Sequence, residues 1–131
     1  MKKIVFVCLG NICRSPMAEF VMKDLTNQYE IESRATSNWE HGNPIHQGTQ
    51  KIFRSHGVPY DVSKTSLQIS DQDFHTFDLI LGMDENNVAD LKRMAPPGTR
   101  AQDSSLCRRK CSRSMVHRRF RRDLFQSPER L

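Results

Sequence analysis

The chain has 131 residues, a formal net charge of +5 and no apolar run long enough to cross a membrane. This length fits one domain with one hydrophobic core. The apolar run after the two N-terminal lysines is too short for a signal peptide, so we expect a cytoplasmic protein. Its four cysteines are then expected to be thiols rather than a disulfide framework.

The positive charge is confined to the last part of the chain. Residues 1–101 hold 11 Lys and Arg against 12 Asp and Glu, whereas residues 102–131 hold 9 against 3. Such a tail is either a solvated, disordered end or a surface for nucleic acid or acidic membranes. We expect a disordered tail over 102–131, with neither nucleic acid nor a membrane as partner, and a folded domain over 1–101.

Hydrophobic periodicity and turn residues predict alternating strands and helices in residues 1–101. Short runs rich in branched and aromatic residues predict strands, and they are residues 3–9, 31–37 and 78–82. Apolar residues at helical spacing predict helices, and they run from Ser15 to about Tyr29, over 47–56, over 70–77 and from Asp84 or Asn86 to Met94. This order predicts an α/β fold with a parallel sheet, whose ligands bind at the carboxyl ends of the strands.

Residues 8–15, CLGNICRS, lie at that edge and join the first strand to the first helix. Backbone N–H groups of such a loop converge on one point and, with the helix dipole, form an anion site. Gly10 is predicted to permit the tight backbone path. Arg14 can bind two phosphate oxygens at once. Cys8 lies at the base of the loop, where the same positive field favours the thiolate, a nucleophile for phosphorus.

Three further predictions concern the support of this loop. Ser15 is predicted to cap the helix, with Pro16 at its first position, and to donate a hydrogen bond to the cysteine sulfur. The amide of Asn11 is predicted to hold the loop in shape.

The alternative to a phosphate site is that Cys8 is a small buried apolar residue and Arg14 a surface charge. We favour the phosphate site because strand, glycine, cap and helix all agree with one geometry.

Residues 6–19, FVCLGNICRSPMAE, resemble the active-site loop of the low-molecular-weight protein tyrosine phosphatases. The resemblance extends through ATSNW (35–39), GNP (42–44) and LGMD (81–84), and it covers residues 1–101. It implies a parallel four-stranded sheet with helices on both faces. It also implies that Cys8 is the nucleophile, that Arg14 binds phosphate and stabilises the transition state, and that Trp39 lines the wall beside the substrate ring. The residues of the implied phosphate-binding loop are Leu9, Gly10, Asn11, Ile12, Cys13 and Ser15.

The implied reaction is hydrolysis of phosphotyrosine or small aryl phosphates through a phosphocysteine. Cys13, in the same loop as Cys8, could trap an oxidised Cys8 as a disulfide, although plain packing explains it equally well. Trp39 is likewise open to a plain packing role. No cofactor is expected, and no metal, because no histidine and cysteine cluster has ligand spacing.

The family's general acid is an aspartate in an Asp-Pro-aromatic loop near the C-terminus, and this chain has no Asp-Pro pair. Asp103 and Asp123 are the remaining candidates, but neither lies in a matching motif. The patterns of the family's last strand and last helix are also missing, so we expect both elements to be absent or disordered. Loss of the acid loop predicts impaired turnover.

One hypothesis explains these absences: residues 102–131 are the family's C-terminal segment read out of frame. With suitable synonymous codons, a forward shift of one nucleotide across CSRSMVHRRFRRDLF yields VPDPWYTGDFEETY, which contains Asp-Pro-Trp. The nucleotide sequence beyond codon 101 tests this, and a shifted frame without Asp-Pro-Trp would refute it.

Three other readings compete with the phosphatase. A thiol-dependent arsenate reductase of the same fold would relay oxidation to Cys107 and Cys111, whose spacing and arginine-rich setting do not resemble that family's pair. A non-catalytic phosphate-binding remnant could use its basic tail for nucleic acid, but the tail has few aromatic residues for base stacking. A phosphocysteine carrier of the sugar phosphotransferase type also places a cysteine after a strand, but Arg14 and the Ser-Pro continuation favour the phosphatase.

Overall fold

The elements of the structure, a computed structural model, alternate between strand and helix as the sequence predicts. The structure describes residues 2–98 and the backbone of residues 105–106. In chain order the elements are β1 (Lys2–Cys8), α1 (Arg14–Leu25), β2 (Tyr29–Ala35), α2 (Gln47–Ser55), α3 (Asp71–Thr76), β3 (Leu79–Gly82), α4 (Glu85–Met94) and β4 (Ser105–Leu106). In the described part of the chain, no helix is both long enough and apolar enough to span a bilayer.

The four strands form a parallel sheet in the order β2-β1-β3-β4, with β1 near its middle. The side chains of β1 alternate between two cores, because successive residues of a strand point to opposite faces. Val5 and Val7 pack in a cluster with residues of α3 and α4, whereas Ile4 and Phe6 pack in a cluster with Ala18 of α1. Helices therefore cover both faces, and the predicted α/β fold is confirmed.

The register brings three strand ends together at one edge of the sheet. Cys8 lies opposite Ala35 of β2, and Val7 lies opposite Gly82 of β3. The chain segments that leave β1, β2 and β3 therefore start side by side. This edge holds the loop of residues 9–13.

The first helix differs from its prediction at both ends. It begins at Arg14 with Cys13 as the N-cap residue, and no side chain caps it, so the prediction that Ser15 caps the helix and Pro16 opens it is wrong. Ser15 is instead inside the helix and fully buried. The helix ends at Leu25, since Thr26 has an extended conformation. Strand β2 then begins at Tyr29, which is paired with Lys2.

The other described helices begin at or within one residue of their predicted starts. Ser70 caps α3 and forms a reciprocal capping box with Asp73. Asp84 caps α4 by accepting a hydrogen bond from the backbone N–H of Asn87. Helix α2 is capped by His46, whose ring accepts a hydrogen bond from the backbone of Gly48.

The expected absence of the last strand is wrong for two residues, since Ser105–Leu106 pair with Leu81–Gly82. The polar sequence around these residues argued against a central strand. An edge strand this short needs only backbone hydrogen bonds to β3, which polar side chains do not prevent. The family's last helix and most of the predicted tail lie outside the described residues.

Candidate active site

Cys8 is the last residue of β1, and its sulfur lies beneath the loop that leads into α1. The side chain is buried. Its Sγ accepts a hydrogen bond from the backbone N–H of Asn11 at 3.2 Å and lies 3.0 Å from the hydroxyl oxygen of Ser15, with which it also hydrogen-bonds. The predicted contact between Ser15 and the sulfur is therefore present. These two groups, together with the N-terminus of α1, place hydrogen-bond donors and a positive dipole end around the sulfur.

Asn11 fixes the shape of the loop through both ends of its side-chain amide. Its Nδ2 donates to the hydroxyl of Ser15 at 2.8 Å, and its Oδ1 accepts from the backbone N–H of Leu67 at 3.2 Å. Asn11, with a φ of 56°, is in the left-handed region, which asparagine tolerates better than most residues. The prediction that Asn11 holds the loop is confirmed, while the residue that turns the backbone is Asn11 and not Gly10.

Gly10 instead lies close to a neighbouring side chain. A Cβ atom at this position would lie 3.3 Å from Cγ of Glu40, which packs against the loop from the segment after β2. The carbonyl oxygen of Gly10 accepts a hydrogen bond from the hydroxyl of Ser66 at 2.7 Å, and the carbonyl of Ile12 accepts from the backbone N–H of His46 at 2.7 Å. These contacts hold the loop from outside at Gly10, Asn11 and Ile12.

The segment that holds Gly10 and Asn11, residues 64–69, will be called the supporting segment. It pairs with the end of β2, since Ala35 donates to the carbonyl of Leu67 at 2.8 Å and Ile69 donates to the carbonyl of Ala35 at 2.8 Å. It also pairs with residues 42–43 through Ser66. The supporting segment therefore ties the loop to β2 and to the segment that follows it.

A buried ionic cluster anchors the start of the supporting segment to α1. The carboxylate of Glu19 accepts hydrogen bonds from Lys23 at 2.7 Å and from the hydroxyl of Ser33 at 2.6 Å, and it lies 3.7 Å from Nζ of Lys64. Lys64 also donates to the carbonyl of Ser33 at 3.2 Å. Burial lowers the pKa of Lys64, and the charge of Glu19 opposes that shift.

Arg14 is the first residue of α1, and its guanidinium contacts the carboxylate of Asp84. Nη1 of Arg14 lies 2.7 Å from Oδ2 of Asp84. Burial raises the pKa of Asp84, but the hydrogen bonds from Arg14 and from the backbone of Asn87, with the charge of Arg14, outweigh it and hold that pKa below its ordinary value. Arg14 thus lies next to the loop, and its charge is paired with the partly exposed carboxylate of Asp84.

Cys13 is exposed, and its sulfur accepts a hydrogen bond from the hydroxyl of Thr49 at 3.2 Å. Thr49 is buried in the first turn of α2. Neither the trapping role nor the packing role predicted for Cys13 is decided by this contact, and the trapping role stays a prediction.

Trp39 follows β2 in a segment that runs beside the loop. The backbone N–H of Ser37 and its hydroxyl both donate to the carbonyl of Leu9, at 3.2 Å and 2.8 Å, and the backbone N–H of Trp39 donates to that hydroxyl at 3.4 Å. The side chain of Trp39 is 75% exposed, so plain packing in a core does not explain this tryptophan. Leu9 is also partly exposed, at 40%.

Four predicted candidates fall outside the described residues: Asp103, Asp123, Cys107 and Cys111. Within residues 2–98 and 105–106, no group of three or more histidine, cysteine, aspartate or glutamate side chains could hold a metal ion.

Three residues that contribute to the site were not predicted from the sequence. Ser66 and Leu67 hold the loop from the supporting segment, and no local pattern marks them because they act through a hydroxyl and a backbone N–H. Asp84 was predicted as a helix start, and its contact with Arg14 was not foreseen. A usable signal existed, because an acid directly after a buried strand lies at the same sheet edge as the loop.

Comparison with known proteins agrees with this geometry. The family model for low molecular weight phosphotyrosine protein phosphatase matches residues 3–112. The chain is 43% identical over 101 residues to the low molecular weight protein-tyrosine-phosphatase YfkJ of Bacillus subtilis, covering 72% of this chain and 64% of that protein. It is 46% identical over 98 residues to the human low molecular weight phosphotyrosine protein phosphatase, covering 70% and 61%. The chain thus spans less than two thirds of these curated relatives.

A solved structure extends the similarity. The fold matches the low molecular weight protein tyrosine phosphatase SP-PTP of Streptococcus pyogenes with a TM-score of 0.82 and 45% identity, covering 98% of this chain and 96% of that one. The match of the family model over residues 3–112, with this level of identity to proteins of one kind, establishes that the chain belongs to the low molecular weight phosphotyrosine protein phosphatase family.

Proposed function

We propose that this chain hydrolyses phosphotyrosine and other aryl phosphate monoesters through a phosphocysteine intermediate. The observation that carries the proposal is the position of the Cys8 sulfur, which is held beneath the loop by the N–H of Asn11 and the hydroxyl of Ser15 at the N-terminus of α1. Both hydrogen bonds and the helix dipole stabilise negative charge at this point. A nucleophilic sulfur and an oxyanion site thereby coincide.

In the first step the Cys8 thiolate attacks phosphorus, the bond from phosphorus to the phenolic oxygen breaks, and the leaving oxygen takes the electron pair. In the second step water attacks phosphorus, the bond from sulfur to phosphorus breaks with its electron pair on sulfur, and inorganic phosphate leaves with the protons of water. Such reactions depend mainly on positioning and on stabilising charge on the phosphoryl oxygens. Loop N–H groups and the guanidinium of Arg14 would supply that stabilisation, and Trp39 would contact the aromatic ring.

Turnover is expected to be slow if no acid protonates the leaving oxygen, because a positioned acid contributes on the order of 10²–10⁴ in rate. Aryl phosphates with good leaving groups need least protonation and should be affected least. The roles of Asp103 and Asp123 and the cytoplasmic location stay predictions.

The test measures hydrolysis of p-nitrophenyl phosphate and of a phosphotyrosine peptide by the full chain. Cys8→Ser should abolish both activities. Arg14→Lys should lower kcat by about 10²-fold, the usual effect of removing one donor to a transition-state oxyanion. Arg93→Lys is the matched control, since Arg93 is an exposed arginine in the last turn of α4. Activity that survives in Cys8→Ser would refute the proposal, as would equal rates for the two arginine variants.

A further inference from the structure

We propose that Asp84 is a positioning residue for Arg14, and that it couples the start of α4 to the phosphate site. The inference rests on the proposed function, because it assigns Arg14 to oxyanion binding. It concerns how the free protein keeps a long, flexible side chain ready for the phosphate.

Both carboxylate oxygens of Asp84 are in use, and each serves a different element. Oδ2 accepts from Nη1 of Arg14 at 2.7 Å, and Oδ1 accepts from the backbone N–H of Asn87 at 2.8 Å. The first contact reaches α1, and the second caps α4. One carboxylate therefore connects the first residue of α1 with the first turn of α4.

Asp84 is itself held firmly in place. The preceding residue, Met83, donates to the carbonyl of Val7 at 2.9 Å, which fixes the chain beside β1. Helix α4 approaches β3 so closely that a Cβ atom on Gly82 would lie 2.9 Å from the backbone nitrogen of Val88. The backbone of Asp84 is thus fixed at the sheet edge, and its side chain, 41% exposed, meets the 48% exposed side chain of Arg14.

Restraint of Arg14 at one nitrogen leaves donors for a ligand. A guanidinium has five N–H donors in a planar fork, and the Asp84 contact uses Nη1. The hydrogens on Nε and Nη2 stay available to an oxyanion. Because ordering a side chain with many rotamers weakens binding, an arginine that is already held binds phosphate more tightly than a free one.

Asparagine cannot replace Asp84 in both contacts. It has a single carbonyl oxygen, and its amide nitrogen is a donor that cannot accept from Arg14 or from Asn87. Asparagine and serine are both good N-cap residues, so Asp84→Asn and Asp84→Ser should preserve the start of α4 and release Arg14. These variants separate the two contacts without removing the helix cap.

The experiment measures the dissociation constant of tungstate by isothermal titration calorimetry, with the full chain in about 0.5 M NaCl, where exposed charges are screened within a few ångströms. Screening weakens the repulsion between Asp84 and the anion more than it weakens the direct contact between Arg14 and Asp84, which are 2.7 Å apart. Asp84→Asn and Asp84→Ser should each bind tungstate roughly two- to tenfold more weakly. Glu85→Gln, which removes the neighbouring charge, should bind as the wild type does. Far-UV circular dichroism checks that α4 is retained.

A double variant distinguishes positioning from a general structural effect. In a chain that already carries Arg14→Lys, Asp84→Asn should change tungstate affinity much less than it does in the wild type, because the restrained guanidinium is gone. Equal or tighter binding by Asp84→Asn in the wild-type background would overturn the inference while leaving the proposed function intact. A wild-type chain that does not bind tungstate would overturn both.

Discussion

Replacement of Asn11 by alanine should destabilise the fold more than most loop substitutions. The side chain is nearly fully buried and bonds at both ends, to the hydroxyl of Ser15 and to the backbone N–H of Leu67. Alanine removes both hydrogen bonds and leaves a partly buried N–H without its partner. It must also adopt the positive φ of 56°, which costs a residue with a Cβ atom free energy.

The expected magnitude follows from these parts. Each lost hydrogen bond contributes about 0.5–1.5 kcal/mol to the free energy of unfolding, and the left-handed conformation costs alanine about 1–2 kcal/mol. Asn11→Ala should therefore lower the free energy of unfolding by about 3 kcal/mol. Asn11→Gly loses the same hydrogen bonds but adopts a positive φ freely, so its loss should be about 1 kcal/mol smaller.

The assay is urea unfolding followed by far-UV circular dichroism, because Trp39 is 75% exposed and its fluorescence would report the transition poorly. Turnover of p-nitrophenyl phosphate measured alongside shows whether the loop still supports chemistry. If Asn11→Ala is as stable as the wild type, the side-chain contacts do not hold the loop. If glycine and alanine destabilise equally, the backbone conformation is not the reason.

Three further predictions concern the surroundings of the site. Gly82→Ala should destabilise the fold by about 1–3 kcal/mol in thermal melts, since its Cβ would lie 2.8 Å from Cγ2 of Val88; Val88→Ala should rescue it only in part, and full stability in Gly82→Ala would contradict the close approach. Glu19→Gln should cost about 3 kcal/mol because it strands the buried charge of Lys64, and adding Lys64→Met should recover part of that loss; an unchanged urea midpoint for Glu19→Gln would refute the ionic anchor. Folding lowers the pKa of Asp84 from 3.8, so the ionised carboxylate stabilises the fold above pH 3.8, and this stabilisation is lost as the pH falls through the folded pKa. Asp84→Asn should therefore make the stability of the fold less dependent on pH in acid. The same loss of stability in acid for the variant and the wild type would contradict this.

The local sequence predicted the position of the loop and of its cysteine and arginine, because these residues are close together in the chain. A buried strand, a glycine, a cysteine and an arginine before a helix leave few alternatives, and the structure places Cys8 under the N–H of Asn11 as that pattern requires. The caps of α3 and α4 were predictable for the same reason, since Ser70 and Asp84 act within three residues of themselves.

What the sequence did not predict depends on the register of the sheet. Leu67 and Asp84 reach the loop only because β2 and β3 flank β1 and end at the same edge. Predictions for single residues were also wrong where a residue type suits two different local roles. Ser15 is a favoured cap residue, but it is the second residue of the helix and makes a buried contact with Cys8 instead. Asn11 rather than Gly10 makes the left-handed turn, because its amide gains two hydrogen bonds there.

The position of β1 has a consequence for how the molecule assembles. Ile4 lies beside Ile31 on one side and beside Leu79 on the other, so this strand closes a short chain loop and a very long one. The entropy cost of closing a long loop arises before the stabilising contacts form, so proteins with such topologies fold slowly. The strand that ends in Cys8 is translated first but cannot gain its second neighbour until β3 has left the ribosome. Active-site formation should therefore be a late event of folding, and partly synthesised chains should be vulnerable to aggregation.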